Sequence, residues 1–262
     1  VTGNSLIPVI NGSAWRMVVG RDVVVPVISE SNPFFNDVLR TGISPEKFTT
    51  LMTADEDYTW GKLLGTTSTV PLTVLLSVDN NIYSYVAKFV NTEVDKLHVS
   101  AAASPSDFME AIHKDPGTIG FCSLADITDE NSQAFVSGYK IIPIDVNNNG
   151  QSDYFEQFYS DYSSFNRGVY IGKYPKTLCN NIFAVASSQP AGGAGSALLR
   201  YILVDGQPTI ATSGYTALAE GEGLIRREAL SGDQAIVATV NDGYPLLRSA
   251  IWVLAVILAV SM

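Results

Sequence analysis

Short β-branched and apolar runs alternate along this chain with stretches of helical periodicity, and few folds satisfy that alternation. "RDVVVPVI" (21–28), "VPLTVLLSV" (70–78), "TIGFCSL" (118–124), "YKIIPID" (139–145) and "NNIFAVAS" (180–187) read as strands. Between them, "SPEKFTTLM" starts a helix with Ser44 as cap and Pro45 in the first turn. "NNIYSYVAKFV" puts Ile82, Tyr85, Val86 and Phe89 on one helical face. "SPSDFMEAIHKDPG" carries a Ser104 cap, Asp107 three residues on, and Gly117 past its end. "SDYFEQFYSDYSSF" (152–165) also reads as helical, followed later by a helix from Ser196, a break at Gly206, and a short helix ending near Gly214. From Leu224 the pattern weakens, and "REALSGDQAIVATVNDGYP" reads as a polar connector. Strands alternating with helices predict a mostly parallel sheet in layered α/β lobes, and two such lobes across a cleft suit a small solute.

At 262 residues the chain is long enough to bury a large core in one or two lobes. Hydrophobic residues make up 46% and charged residues only 16%, which excludes general disorder. The net charge of −10, with no basic run, excludes nucleic acid as partner, because nothing would neutralise a phosphate backbone. Cys122 and Cys179 have no metal-ligand spacing; pairing and buried free thiols are both open. No nucleophile–base motif accompanies His98 or His113, and "GGAGS" lacks the lysine of a phosphate loop, so an enzyme is not expected. Arg167 and Lys173 flank aromatics in a strip that reads as a loop over the sheet, with a lining of the cleft or of a partner surface as the alternative.

One stretch carries cation chemistry. In "DVNNNGQSDYFE", Asp145, Asn147, Asn149, Gln151 and Asp153 fall on alternate positions of a twelve-residue loop, Gly150 sits sixth and Glu156 twelfth. Alternate oxygens aimed at one point, a glycine at the sharp turn and a closing bidentate glutamate are what a Ca²⁺ loop requires. Gln151 is expected to contribute its backbone carbonyl. Ser152 at the eighth position and a strand, not a helix, before the loop depart from a paired EF-hand. A single structural clamp is therefore expected, most useful outside the cytosol.

The chain opens "VTGNSLIPVI" without Met, which reads as a processed or partial chain. It closes "SAIWVLAVILAVSM", uncharged after Arg248 and apolar on every helical face. The run is shorter than the roughly 20 residues of a spanning helix. A buried core segment is one reading; a transmembrane anchor, with Trp252 at the interface and the helix continuing past Met262, is the one adopted.

Several stretches, in order, resemble the phosphate-binding-protein family, the periplasmic receptors of phosphate ABC transporters. These are "RDVVVPVISESNPF", "GISPEKFTTLM…WGKLLG", "DPGTIGFCSL", "GKYPKTLCNNIFAV" and "ALLRYILVDGQPTIATSGYTAL". The similarity spans roughly residues 15 to 222, and with the calcium loop and "RGVYIGKYPK" it looks like a branch of the Bacteroidetes cell envelope. It implies a two-lobed type II periplasmic-binding-protein fold, with Arg21–Ile28 and Asn181–Ala186 as adjacent hinge strands. The implied division is a partial first lobe (1–16 and 191–223), a second lobe with hinge and calcium loop (17–190), a connector (224–245) and an anchor (246–262).

The resemblance departs where the family binds its anion. The family's opening strand and Gly-Ser helix start have no counterpart. At the second-lobe signature of an Arg, an Asp and a Ser-Gly-Thr, this chain reads "SVDNNIYSYVAKF": Asp79 matches the Asp, Ser77 stands for the Arg, and Asn81, Ile82 and Tyr83 replace the donors. Asp79 is the one candidate ligand-binding residue. The expectation is a membrane-tethered, calcium-stabilised module on the periplasmic face of the inner membrane. It would bind transmembrane helices and periplasmic parts of envelope-complex subunits, in an energy-transducing or transport complex. The alternative is a receptor for phosphate or another small anion in ABC-type uptake.

Overall fold

The computed structural model describes residues 15–54, 57–115, 117–129, 134–153, 157–219 and 221–230, and the architecture is mixed α/β. In chain order the elements are β1 (Trp15–Ser29), α1 (Phe35–Thr41), α2 (Pro45–Thr53), α3 (Trp60–Leu64), β2 (Thr73–Leu76), α4 (Asn80–Phe89), β3 (Ser100–Ala101), α5 (Pro105–Lys114) and β4 (Thr118–Ser123). They continue with β5 (Thr128–Asp129), β6 (Ala134–Phe135), β7 (Tyr139–Ile141), α6 (Tyr162–Tyr170), β8 (Cys179–Ala186), α7 (Gly193–Leu203), α8 (Gln207–Thr212) and α9 (Glu222–Ala229).

The sheet runs β3-β2-β4-β1-β7, with β8 also on β1. β2 pairs parallel with β3 and β4, because helical crossovers through α4 and α5 join these strands. β1 pairs antiparallel with β4 (Val24 opposite Ser123 to Val27 opposite Gly120), with β7, and with β8 (Trp15 opposite Ala186 to Val23 opposite Cys179). The hinge strands expected to be neighbours are neighbours. The sheet is mixed, however, where a mostly parallel one was expected. β1 is the strand that breaks the parallel order: β4, β7 and β8 all run antiparallel to it, and none of them is joined to it by a single helical crossover that would impose parallel pairing.

From Met17 to Ser29 every residue of β1 is buried, as its β-branched run requires. Its C-terminal half feeds a large core with Phe48, Trp60, Phe108, Phe121 and Phe165. Phe48 meets Phe89 and Phe121 edge-on, with ring centroids 5.7 and 5.3 Å apart. Gly120 of β4 lies beneath Phe108 and Ile112 of α5, so close that a Cβ there would collide with both. The N-terminal half of β1 belongs to a second, smaller core: Met17, Val18, Val19, Leu199, Leu203, Leu218 and Leu230.

Local signals decide the helix starts. Ser44 Oγ accepts from Lys47 N at 3.4 Å, and Ser104 Oγ from Asp107 N at 3.1 Å, as read from the sequence. The helix expected over 152–165 begins only at Tyr162, where Asp161 caps it by accepting from Ser164 N at 2.8 Å. The cap, not the preceding periodicity, sets that boundary. A second difference lies at the start of the stretch read as a connector, where α9 forms. Its Glu222, 1% exposed, accepts from Arg21 at 2.8 and 2.7 Å and from Arg226 at 2.9 and 2.6 Å. A helix that buries its charges in a paired network leaves no apolar stripe to read.

The tail read as an anchor, residues 246–262, lies outside the described residues; among those described, no helix is long and apolar enough to cross a membrane. Cys122 and Cys179 are free thiols, and burial raises the pKa of both.

Burial pushes the Glu222 carboxyl up, but Arg21 and Arg226 together outweigh it and hold it below the usual carboxylate range. A lowered pKa gives stability that is present above the unfolded-state value, about 4.3 for Glu, and is lost as pH falls through the folded one. Glu222→Gln strands two buried guanidinium groups and should cost about 3 kcal/mol at pH 7 in urea denaturation. The gap between variant and wild type should narrow below about pH 4.

Candidate functional site

Two places in the fold gather chemistry. The first is the mouth of α4. β2 delivers the chain to Ser77, whose N–H donates to Phe121 O at 3.0 Å, and Asp79 then caps the helix. The Asp79 carboxylate accepts from Asn81 N at 2.8 Å. A helix start of this kind attracts an anion, and Asp79 supplies one from the chain itself.

Around it stand two further carboxylates. Asp22 of β1, 8% exposed, accepts from the Tyr85 hydroxyl at 3.0 Å, and Tyr85 in turn accepts from Asn180 Nδ2 at 3.2 Å. Asp126, in the short turn of helix Leu124–Ile127, accepts from Ser123 N at 3.2 Å and from the Ser77 hydroxyl. Burial, and then the charge of Asp79, raise the pKa of Asp22 and of Asp126. The Tyr85 hydroxyl is pushed up by burial first and by Asp22 second. The guanidinium nearest in sequence, Arg21, points to the other face of β1 and is engaged by Glu222, with the Tyr170 ring 5.7 Å away. The field at this mouth is acidic.

Asp79 is therefore where the sequence put it, at a helix start. Asp22, Asp126, Tyr85 and Asn180 were not foreseen. They come from β1, α4, β8 and the turn after β4, and no local motif links them.

The second place is the loop from Asp145. Asp145 is 3% exposed, and its two carboxylate oxygens accept from Asn149 N at 3.1 Å and Gly150 N at 2.8 Å. Asn147 Oδ1 accepts from Asn149 N at 3.1 Å, and Asn149 Oδ1 from Gln151 N at 2.9 Å. Asp153 Oδ2 accepts from the side-chain amides of Asn147 at 2.8 Å and Asn149 at 2.9 Å. Gly150 has φ +74°, the left-handed turn its place in the loop demanded. Ile43 forms a parallel bridge with Ile144, and Ser152 N donates to Arg40 O at 3.0 Å, so the loop straps the end of α1.

Asp145, Asn147, Asn149 and Asp153 are thus tied together within one loop, their oxygens accepting from N–H donors of the loop itself. Glu156 lies outside the described residues. Oxygen-only donors with two carboxylates fit a hard divalent cation. Among the described residues no three His, Cys, Asp or Glu side chains gather as a metal site.

The fold is that of the periplasmic phosphate-binding proteins, the class the sequence resembled. A possible phosphate-binding protein from Planctomyces limnophilus superposes with a TM-score of 0.58 at 13% identity, covering 84% of this chain and 72% of that one. PstS from Borrelia burgdorferi superposes at 0.53, again at 13% identity, covering 79% and 73%. An ABC-type phosphate transport receptor from Vibrio cholerae gives 0.50 at 12% identity, covering 78% and 73%. No protein-family profile and no curated protein matches the sequence.

Proposed function

We propose that the chain is an extracytoplasmic small-anion receptor serving ABC-type uptake, and that the anion it takes carries its own proton. The acidic mouth of α4, on a fold shared with phosphate-binding proteins, is the observation that carries this reading. An oxyanion with an O–H can donate to Asp79 or Asp22, whereas a fully ionised one meets only repulsion. As pH falls, Asp22 and Asp126 lose charge sooner than an ordinary carboxylate, because their pKa values are raised, and repulsion drops. With Ser77 in place of a guanidinium, affinity for phosphate should be weak, with Kd about 1 mM or higher, or roughly −4 kcal/mol. Isothermal titration calorimetry should find phosphate tighter at pH 5 than at pH 8, and sulfate weak at both. Asp79→Asn keeps a good cap and removes both the charge and the carboxylate acceptor, so it should narrow the preference for phosphate over sulfate. Sub-micromolar phosphate in the wild type, or sulfate binding as well as phosphate, sinks the reading.

The loop at 145–156 is inferred to hold one structural Ca²⁺ through Asp145, Asn147, Asn149, Asp153 and Glu156, with the Gln151 carbonyl. Support comes from the spacing of the oxygen-bearing side chains, their gathering in one hydrogen-bonded loop, and the left-handed Gly150. A cation would take over the Asp153 carboxylate from the two amides and tighten the strap on α1. Calcium at 100 times its Kd should add about 2.7 kcal/mol, read as a higher melting temperature than in chelator. Equal melting in both would dismiss the clamp.

A second reading is favoured by the exposed Leu198 and Tyr201 on α7 and Leu224 and Ile225 on α9, two helices that pack together. Apolar side chains left on paired helices suit contact with another subunit. In this reading the module is tethered by residues 249–262 and binds transmembrane helices and periplasmic parts of an envelope complex. Deleting 249–262 should then release a folded, soluble domain from the membrane fraction, whereas unfolding on deletion would make the segment core.

A further inference from the structure

We propose that one buried water molecule sits at the seam between the two cores, held by the hydroxyl of Thr216. The segment at Thr216 is gripped from two sides. Its backbone zips to β1, with Arg21 N donating to Thr216 O at 2.8 Å and Thr216 N to Arg21 O at 2.7 Å. The next residue is clamped by α6: Asn166 Nδ2 donates to Ala217 O at 3.1 Å, and the Tyr162 hydroxyl accepts from the Ala217 N–H.

Within this tight grip, two polar atoms have no protein partner. They are Thr216 Oγ1, on a residue 3% exposed, and Asn166 Oδ1, on a residue also 3% exposed. A buried hydroxyl or carbonyl left unpaired is costly, so such atoms in a folded protein point to a guest. Thr216 lines a small cavity, with Leu124, Ala125, Thr128, Tyr162 and Tyr215 among its walls. The cavity has about 10 Å³ open to the centre of a water, which is room for one. Thr128, Tyr162 and Thr216 among its walls carry hydroxyls; the Thr128 hydroxyl already donates to Leu124 O at 2.8 Å and keeps its acceptor side, which leaves the two to four partners a trapped water needs. No charged residue lines the cavity, so an ion gains nothing there. Leu124 and Tyr162 belong to the large core and Leu218, just past the clamp, to the small one, so the water bridges what the side chains leave unsealed.

The sign of one substitution separates a wet seam from a dry one. Thr216→Val keeps shape and backbone bonds but removes the hydroxyl. If the cavity holds a water, the variant expels it, leaves its other partners unpaired and should melt about 2–4 °C lower. If the cavity is dry, the variant removes an orphan and melts higher. A high-resolution crystal structure of the wild-type chain should show one density peak within hydrogen-bond distance of Thr216 Oγ1, kept in Thr216→Ser and lost in Thr216→Val. An empty cavity in the wild type, or a Thr216→Val melting point equal to or above wild type, overturns the proposal.

Discussion

Backbone hydrogen bonding along β1 is the constraint from which the remaining structure follows. One strand of 15 residues pairs with β8 over its first half, and with β4 and β7 over its second. Its partners lie far along the chain, so the strand converts distant segments into one sheet. It also serves both cores, with Met17, Val18 and Val19 in the small one and Val23 to Ile28 in the large one. Neither core can form its strand layer without β1. That dependence explains why the strand is buried almost end to end and carries so many β-branched residues.

Much of this fold was legible in the sequence because its signals are local. The caps at Ser44 and Ser104, the apolar face of α4 and the β-branched strands depend on residues within a few positions of each other. The loop at Asp145 was legible for the same reason, since alternate oxygens and a glycine at fixed offsets need no tertiary information. What escaped depends on long-range pairing. The orientation of β1 against β4 rests on contacts about 100 residues apart, which periodicity cannot encode. α9 escaped because its inward residues, Glu222 and Arg226, are charged and pair with each other, and their network closes through Arg21, 201 positions from Glu222. The acidic mouth of α4 escaped likewise: Asp79 was visible, but Asp22 and Asp126 reach it only through the sheet.

The two chemical sites use carboxylates in opposite ways. At the loop, Asp145 is wrapped by backbone amides and Asp153 by side-chain amides, so negative charge is gathered where a cation can answer it. At α4, Asp22 is buried and Asp126 half-buried, each with hydroxyl or backbone N–H donors, and each resists ionisation. The first arrangement favours a permanent counter-charge; the second favours a guest that brings hydrogen to share. One fold thus carries a site suited to rigidity and another suited to exchange.

Arg21 and Asp22 are neighbours on β1 and face opposite ways, one toward Glu222 and the other toward Tyr85. A slip of one residue along the strand would exchange those faces. The aspartate would then confront a buried glutamate, and the arginine would lose its carboxylate. Hydrophobic patterning alone would tolerate that slip poorly defined as it is here, because Val23, Val24 and Val25 are buried on both sides and read the same either way. The charged pair therefore fixes the registry that the valines leave open: a one-residue slip would cost both Arg21 and Asp22 their partners.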